Sequence, residues 1–327
     1  MKLQPNPILE TLLLLTNGNK GKGTKRKIIK QLNDFGINGA AFYAANYLVV
    51  ERYCEAFATK RVKTGEELLE SMSDEFAILV LVILILHPEW AEDFVGVSHE
   101  EAATAVSDAM ASLYESSEET IEILAASELS DQAKWQIAAL LQQPKKKLTL
   151  VIEAINTNIA AYEYAYTKLE PEIRPLLERL EDQIKKDQLP PSVSQVLTLV
   201  PNAQITPLLA EPLILVAFER YCCVGLLLNK MSAGLDESLT ETEAFLIAKA
   251  LGDASKLEIL RLLNNNKLYS LEIAQQLGLT QATTSHHMNI LLAAGLVEVS
   301  KDGAKVYYCL CTNGIKRYCD WLNDSFL

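Results

Sequence analysis

The chain has 327 residues, of which 49% are hydrophobic and 22% charged, a composition typical of a folded globular protein with two or more domains. Its net charge of −12 is uneven, because residues 239–327 carry −1 and the preceding residues carry −11. The six cysteines occur without a secretory segment, which argues against a disulfide framework. The longest apolar run, Phe76 to Leu86, falls short of the roughly 20 residues of a membrane-spanning helix. We therefore expect a cytoplasmic protein that contacts no membrane.

Helical patterns dominate the first half of the chain. A short apolar helix is predicted from Pro7 to Thr16, followed by a basic, glycine-rich loop from Asn17 to Lys27. Helices are then expected over most of residues 28–188, and the apolar run Phe76–Leu86 is interpreted as a buried core helix. Ser98 and Glu101 have the spacing of a capping box that opens one of these helices.

The pattern changes after Pro190 and Pro191. Short apolar runs over Ser192–Val200, Leu213–Phe218 and Tyr221–Leu228 alternate with proline-rich turn signals, which predicts strands of a small β meander near 192–228. The last of these runs is also compatible with a helix.

No catalytic motif is found before residue 232. The chain has four histidines and lacks the nucleophile-elbow, zinc-protease and dinucleotide-binding signatures. We therefore expect neither an enzyme nor a bound cofactor, and we interpret the region as a sensor or oligomerisation domain.

A helix, a tight turn and a second helix are predicted between Ser270 and Gly295. Ser270 is a suitable N-cap, Gly278 suits a left-handed helix end, and Thr280 can cap the next helix. In that second helix the residues Thr284, Met288, Leu291 and Leu292 share one side. The other side presents small or hydrogen-bonding side chains, namely Ala282, Thr283, His286 and Asn289, as expected of a helix that reads base edges.

A hairpin is predicted to follow this helix pair. Residues 296–300 and 304–310 have strand character, and Asp302-Gly303 is a strong turn signal between them. Lys301 and Lys305 flank the tip, where their ammonium groups could meet phosphates beside the groove.

The segments ALGDASKLEILRLL (250–263) and LEIAQQLGLTQATTSHHMNILLAAGLVEVSKDGAKVYYCL (271–310) resemble the ArsR/SmtB family of bacterial winged-helix repressors. The resemblance implies that Thr280 to Leu292 is the recognition helix and that 296–310 is the wing. It also implies a homodimer, with helices near 241–251 and 313–323 at its interface. The expected fold class is mainly α: a large helical N-terminal domain with a small β meander near 192–228, then a C-terminal winged helix-turn-helix domain. The domain bounds we predict are 1–232, a linker at 233–240, and 241–327.

The expected function is a transcriptional regulator of repressor type that binds a pseudo-palindromic operator in double-stranded DNA. The N-terminal domain is expected to sense an unknown small-molecule effector. The residues predicted to contact DNA are Thr280, Gln281, Thr283, Ser285, His286, His287, Asn289, Lys301 and Lys305. Because residues 239–327 are not basic overall, affinity must come from local charge placement and dimerisation.

Both metal sites common in the family are absent from the sequence: residues 267–271 hold no cysteine, and residues 313–327 hold no histidine. One thiol set remains, because Cys309, Cys311 and Cys319 could bind a soft metal or form a redox switch. Three alternatives stay open: a thiol- or metal-responsive regulator that uses this set, a winged helix that binds protein instead of DNA, and an enzyme with a regulatory winged helix.

Overall fold

A computed structural model describes residues 2–17, 21–34, 37–63, 69, 72–114, 120–127, 129–186, 188–200, 202–231, 239, 241–264, 266–302 and 305–327. The predicted mainly helical class is confirmed. The helices before residue 200 are α1 Pro7–Asn17, α2 Gly21–Asp34, α3 Gly39–Asn46, α4 Leu48–Ala58, α5 Asp74–Leu86, α6 His99–Tyr114, α7 Thr120–Ala126, α8 Asp131–Gln142, α9 Pro144–Lys185 and α10 Pro191–Leu199, with a 3₁₀ turn at Pro88–Ala91.

A three-stranded sheet, a one-turn helix and then five helices and a two-stranded sheet complete the described chain. The first sheet is β1 Gln204–Leu208, β2 Leu215–Phe218 and β3 Tyr221–Gly225, and it is followed by the one-turn helix α11 Leu228–Met231. The later elements are α12 Glu241–Leu251, α13 Ala254–Leu263, α14 Ser270–Leu277, α15 Gln281–Ala293, β4 Val297–Asp302, β5 Lys305–Leu310 and α16 Thr312–Phe326.

The hydrophobic residues form two separate buried clusters. One extends from Leu3 to Leu228 and the other from Leu239 to Trp321. At the centre of the first, α5 has nine consecutive or near-consecutive apolar residues buried on every side, as expected for the run Phe76–Leu86. Among the described residues, no helix combines the length and the apolar character that a bilayer crossing demands.

A buried carboxylate joins the two ends of the first cluster. Glu10 of α1 is completely buried and accepts hydrogen bonds from the backbone N–H groups of Leu209, at 2.6 Å, and Ala210, at 3.1 Å. The Tyr53 hydroxyl of α4 donates a third bond to it, at 3.0 Å. Burial raises the pKa of Glu10 to about 7, although these three donors act in the opposite direction.

The small sheet differs from the predicted meander. Strand β2 pairs with β3 as an antiparallel hairpin, but β1 pairs with β3 in parallel, so the strand order is β1-β3-β2. The β1–β2 connection packs closely on β3 at Gly225, because a Cβ there would overlap the backbone of Pro212.

Residues 192–200, expected as a strand, instead lie in helix α10 up to Leu199. Pro191 occupies its first turn, where the missing N–H costs nothing, and Val193, Val196 and Leu197 have helical spacing toward the first cluster. This helix contacts β2 of the first sheet, and it also contacts β4 and α15 of the C-terminal part.

Three further expectations have different outcomes. The basic segment expected as a loop up to Lys27 is helical from Gly21 onward. The capping box at Ser98 is confirmed, because Ser98 N–H donates to the Glu101 carboxylate at 2.7 Å and Glu101 N–H donates to the Ser98 hydroxyl at 3.1 Å. The segment expected as a linker, 233–240, lies outside the described residues except for Leu239.

Candidate DNA-binding interface

The first helix of the candidate interface, α13, begins at a charged cap. The Asp253 carboxylate accepts the N–H of Lys256 at 3.0 Å and pairs with the Lys256 ammonium at 3.0 Å. Lys256 is buried despite its charge, and this pairing compensates for part of its desolvation. The backbone hydrogen bond from Lys256 is the main reason that the pKa of Asp253 is lowered.

The turn between α14 and α15 follows the predicted geometry. Gly278 ends α14 with φ of +64°, and Leu279 N–H bonds to the Ala274 carbonyl at 3.0 Å. Thr280 then caps α15, accepting the N–H of Thr283 at 3.1 Å. The N-cap of α14 is Tyr269 and not Ser270: the Glu272 carboxylate accepts the Tyr269 N–H at 3.1 Å, and the Ser270 hydroxyl is buried without a hydrogen-bond partner in the described structure.

Helix α15 is divided into a buried and an exposed side. Thr284, Met288 and Leu291 are completely buried, as their spacing predicted. Ser285, His286 and Asn289 are exposed, Thr280 is exposed at the cap, and Thr283 is half-buried. The exposed side therefore presents hydroxyl, imidazole and carboxamide groups, which can donate and accept hydrogen bonds toward a ligand in front of the helix.

His287 lies on the buried side of the same helix. Its ring is 9% exposed, and its Nδ1 atom has no hydrogen-bond partner within the described residues. Burial lowers the pKa of His287, the neighbouring Lys256 ammonium adds to this, and the Asp253 carboxylate partly opposes it. Its neighbour His286 is exposed, so the two adjacent histidines have different surroundings.

The predicted hairpin forms, but Asp302, predicted as a turn residue, instead ends β4 and pairs with Lys305. Strands β4 and β5 pair antiparallel from Val297 opposite Leu310 to Asp302 opposite Lys305. Leu268 forms an isolated antiparallel bridge to β5, since it exchanges backbone hydrogen bonds with Tyr308 at 3.1 and 2.7 Å. Lys301 and Lys305 thus belong to the outer end of the hairpin; their side chains, the side chain of Gln281 and the tip 303–304 lie outside what the structure describes.

The thiol set does not form a metal centre. Cys309 directs its sulfur to the Glu298 carbonyl at 3.7 Å, and Cys311 caps α16 by accepting the Gly314 N–H at 3.4 Å. Burial raises the pKa of Cys309 and raises that of Cys311 to about 11, which disfavours the thiolates that bind metals. Cys319 is exposed on α16, and the described residues contain no group of three His, Cys, Asp or Glu side chains arranged to hold a metal ion.

Helices α12 and α16 pack against each other and leave aromatic rings uncovered. Phe245 on α12 is 68% exposed and Phe326 on α16 is 74% exposed. Tyr318 stacks on Trp321, whose ring also meets Phe326 edge to face at 5.9 Å. These rings form an apolar surface that the single chain does not cover.

Comparison with known proteins identifies this domain. Residues 253–299 match the model of the bacterial regulatory protein family named arsR. Over 71 residues the chain is 39% identical to an uncharacterized HTH-type transcriptional regulator of Methanocaldococcus jannaschii, a match that covers 21% of this chain and 80% of that protein. The chain belongs to the ArsR family. Its membership rests on the C-terminal domain, which is a DNA-binding regulator domain of the winged helix-turn-helix type.

Two more known proteins are similar to the C-terminal domain. The arsenical resistance operon repressor of Staphylococcus aureus is 42% identical over 64 residues, which are 20% of this chain and 62% of that repressor. Among solved structures, HlyU from Vibrio cholerae is 30% identical, with 26% of this chain and 91% of that chain covered and a TM-score of 0.22. Each of these matches is confined to about a quarter of the chain or less.

Proposed function

We propose that the protein is a homodimeric transcriptional regulator, of repressor type, whose C-terminal domain binds a pseudo-palindromic operator. The observation that carries this proposal is the division of α15, in which a capped helix presents Ser285, His286 and Asn289 to the outside while Thr284 and Met288 anchor it. A helix that enters the major groove needs such a polar outer side, and it needs buried residues on its other side that fix its position.

The contact set divides by chemistry. Asn289 and His286 are suited to base edges, because a carboxamide can pair with adenine and an imidazole can donate or accept a hydrogen bond. The hydroxyl groups of Thr280, Thr283 and Ser285 are suited to bases or phosphates near the helix N-terminus. We no longer include His287 among the DNA-contacting residues, because it is buried on the inner side of α15.

The wing is proposed to add contacts that carry no sequence information. Lys301 and Lys305 flank the hairpin tip and would meet phosphates on either side of the groove. The Gln281 side chain, in the first turn of α15, is proposed to contact DNA on sequence grounds.

Dimerisation is proposed through α12 and α16. The exposed rings of Phe245 and Phe326 support it, because an apolar surface of this kind is stabilised when a second copy covers it. In sedimentation experiments Phe245→Lys should shift the protein toward monomer. The matched control is Val95→Lys, since Val95 is 87% exposed but lies in the first region; an unchanged dimer in Phe245→Lys would reject this interface.

The first region is proposed to act as a sensing or oligomerisation module. The separate hydrophobic cluster from Leu3 to Leu228 supports an independent domain, and the contact of α10 with β4 and α15 supports a route to the winged helix. An effector would alter DNA binding only if it binds one arrangement of the dimer more tightly than another.

The central test is selection of bound sequences from random duplex DNA by the purified full-length protein. Once a preferred duplex is known, Thr283→Ala with His286→Ala should weaken its binding about 10- to 100-fold, since a base contact contributes roughly 1–3 kcal/mol. Binding to duplex of unrelated sequence should change less than about threefold, because phosphates supply that affinity.

Asn264→Ala is the matched control, because Asn264 is an exposed polar residue at the end of α13, outside the recognition helix. Equal losses on both duplexes in the double variant would reject base readout by α15. Selection that yields no sequence preference and no duplex binding would favour the alternative of a protein-binding winged helix.

A further inference from the structure

A narrow crevice lies where helices α9, α10 and α11 meet the end of strand β3. Its apolar lining includes Leu180 of α9, Val193 of α10 and Leu226 after β3. Of the described residues that line it, Asn229 of α11 alone has a polar side chain. The space between these side chains, counted out to the open side, is about 200 Å³, but it is too narrow for a water molecule. A molecule that enters this crevice must therefore displace one of its walls.

Asn229 is buried with half of its carboxamide unpaired. The residue is 4% exposed, and its amide nitrogen donates to the carboxamide oxygen of Gln183 in α9 at 3.2 Å. Its own oxygen, Oδ1, has no hydrogen-bond partner among the described residues. A buried carbonyl group without a donor is energetically unfavourable. The crevice therefore offers a hydrogen-bond acceptor to a molecule that carries an O–H or N–H group.

Another buried carboxamide of the first region is fully paired. Asn158 of α9 accepts the N–H of Val62 at 2.8 Å through its oxygen. Its amide nitrogen donates to the carbonyl groups of Val62, at 3.1 Å, and Ala154, at 2.9 Å. Asn158 thus has the pairing expected of a carboxamide with a structural role, and the unpaired oxygen of Asn229 is not explained by such a role.

Two walls of the crevice are held firmly. The segment after β3 donates three backbone hydrogen bonds to the end of β1 and the connection that follows it, which Glu10 also holds. The wall from α9 belongs to a 42-residue helix whose buried residues pack in the first cluster. Helix α10 has nine residues and is the wall that can yield. The three donors are Gly225, Leu226 and Leu227, and their acceptors are the carbonyl groups of Ile214, Leu208 and Pro212, in that order, at 2.7, 2.9 and 2.8 Å.

Helix α10 also connects the crevice with the candidate DNA-binding interface. Val193 lines the crevice, and the same helix contacts β4 of the hairpin and the helix α15. Because closely packed elements transmit displacements to their neighbours, a shift of α10 at Val193 alters its contacts with β4 and α15. A molecule bound in the crevice can therefore change the position of α15 relative to the first region.

We propose that the crevice binds a small neutral molecule with an apolar body and one hydrogen-bond donor, which pairs with Asn229 Oδ1, and that the resulting shift of α10 alters DNA binding. This inference rests on the function proposed above and supplies its effector site. An effector acts only if it binds one arrangement of the protein more tightly than another. That condition is met here, because the crevice must widen before the molecule fits.

The lining determines the class of ligand. None of the described lining residues is charged, so nothing there would compensate the desolvation of an ion. Apolar walls suit an aromatic or aliphatic body, and one unpaired acceptor suits one donor. Simple phenols and indoles have both features.

The test uses the full-length protein with phenol and toluene, which are similar in size and shape but differ in the O–H donor. In calorimetric titrations phenol should bind at one site per chain with a dissociation constant of about 1 mM or lower. Toluene should bind about three- to tenfold more weakly, which is the range for one neutral hydrogen bond. No binding of phenol, or equal binding of the two molecules, would reject the proposal.

The variant Asn229→Leu removes the acceptor and keeps the apolar walls. It should bind toluene as the wild type does, and it should bind phenol no more tightly than toluene. Asn156→Leu is the matched control, because Asn156 is an exposed carboxamide of α9 outside the crevice. This control should keep the preference for phenol. A preference for phenol that survives in Asn229→Leu would reject the pairing with Asn229.

A second variant tests the location without changing a polar group. Val193→Phe fills the crevice and should prevent the binding of both molecules. Val196→Phe is its control, because Val196 is a half-buried residue of α10 that does not line the crevice. Circular dichroism checks that both variants are folded. Phenol binding that is unchanged in Val193→Phe would place the ligand elsewhere and reject the proposed site.

The effect on DNA binding is measured with the duplex obtained by selection. Saturating phenol should change the affinity of the wild type for this duplex by about fivefold or more, a usual size for coupling between two sites. If phenol binds as expected and the duplex affinity does not change, the link through α10 fails while the proposed DNA binding stands. If the wild type binds no duplex, the proposed function fails, and the phenol titrations still decide whether the crevice is a binding site.

Discussion

The two regions of the molecule are held together by contacts that differ in the sequence separation of the residues they join. In the first region, polar contacts between residues far apart in the sequence join its ends. Glu10 accepts hydrogen bonds from Leu209 and Ala210, and the Leu3 N–H donates to the Glu181 carboxylate at 2.7 Å. In the winged helix, the contacts that define the elements lie within one helix end or one hairpin. The first region therefore depends on contacts that cannot be predicted from the local sequence. Such contacts cost conformational entropy, because a long loop must close before they form.

Helix α9 illustrates the same difference. It has 42 residues and continues through Pro171 and Pro175, although a proline inside a helix removes a backbone hydrogen bond. Both prolines and Thr167 lie on the exposed side, so the carbonyl groups that lose their N–H partners face solvent. Leu169, Ile173 and Leu177 are buried on the other side and hold the helix together.

The largest effect is expected from a variant that removes the hydrogen bonds between the ends of the first region. Glu10→Ala should lower the free energy of unfolding by about 3–5 kcal/mol, because three buried donors lose their acceptor and a cavity remains. Urea denaturation followed by circular dichroism measures it, with Glu55→Ala, exposed on the nearby α4, as the control. A loss below about 1 kcal/mol would show that the ends of the region are held together without this carboxylate.

The second expected effect is a pH dependence from the same residue. The pKa of Glu10 is raised from 4.5 to about 7 in the folded state, so folding favours the protonated form. This contribution is fully present below about pH 4.5 and is lost as pH rises through about 7, a total of roughly 3 kcal/mol. Urea midpoints measured across this range should fall with pH in the wild type more than in Glu10→Gln; parallel curves would contradict the assignment.

The third effect tests whether the winged helix also depends on a close tertiary contact. A Cβ on Gly314 would overlap the carbonyl oxygen of Gly295, so Gly314→Ala should displace the start of α16 and cost about 1–3 kcal/mol. Gly252→Ala is the control, since a Cβ there would meet the Ala248 carbonyl oxygen at an ordinary 3.4 Å. Thermal unfolding that does not distinguish the two variants would mean that this contact adapts freely.

The smallest effect concerns a purely local signal. Thr280→Ala removes the cap of α15 and should destabilise the winged helix by about 1 kcal/mol. Thr280→Ser keeps the oxygen that accepts the Thr283 N–H and should restore most of that loss. If the serine variant is as unstable as the alanine variant, the hydroxyl cap is not the stabilising feature.

The candidate interface was largely predictable, and its exception has a clear cause. The residues that anchor α15 and those that it exposes follow from a period of 3.6 residues. His287 was expected to contact DNA because it is polar and adjoins His286, but its spacing from Thr284, Met288 and Leu291 already puts it beside the buried residues. Helical spacing was the better guide there than polarity.

Local sequence was sufficient for the left-handed ends at Gly278 and Gly295, the cap at Thr280 and the presence of the hairpin, since each depends on the conformational preference of a few adjacent residues. Tertiary contacts decided the burial of Glu10, the parallel pairing of β1 with β3, and the helical state of α10. The physical reason is that each of these depends on a partner far along the chain, whose position exists only once the first region has packed around its core.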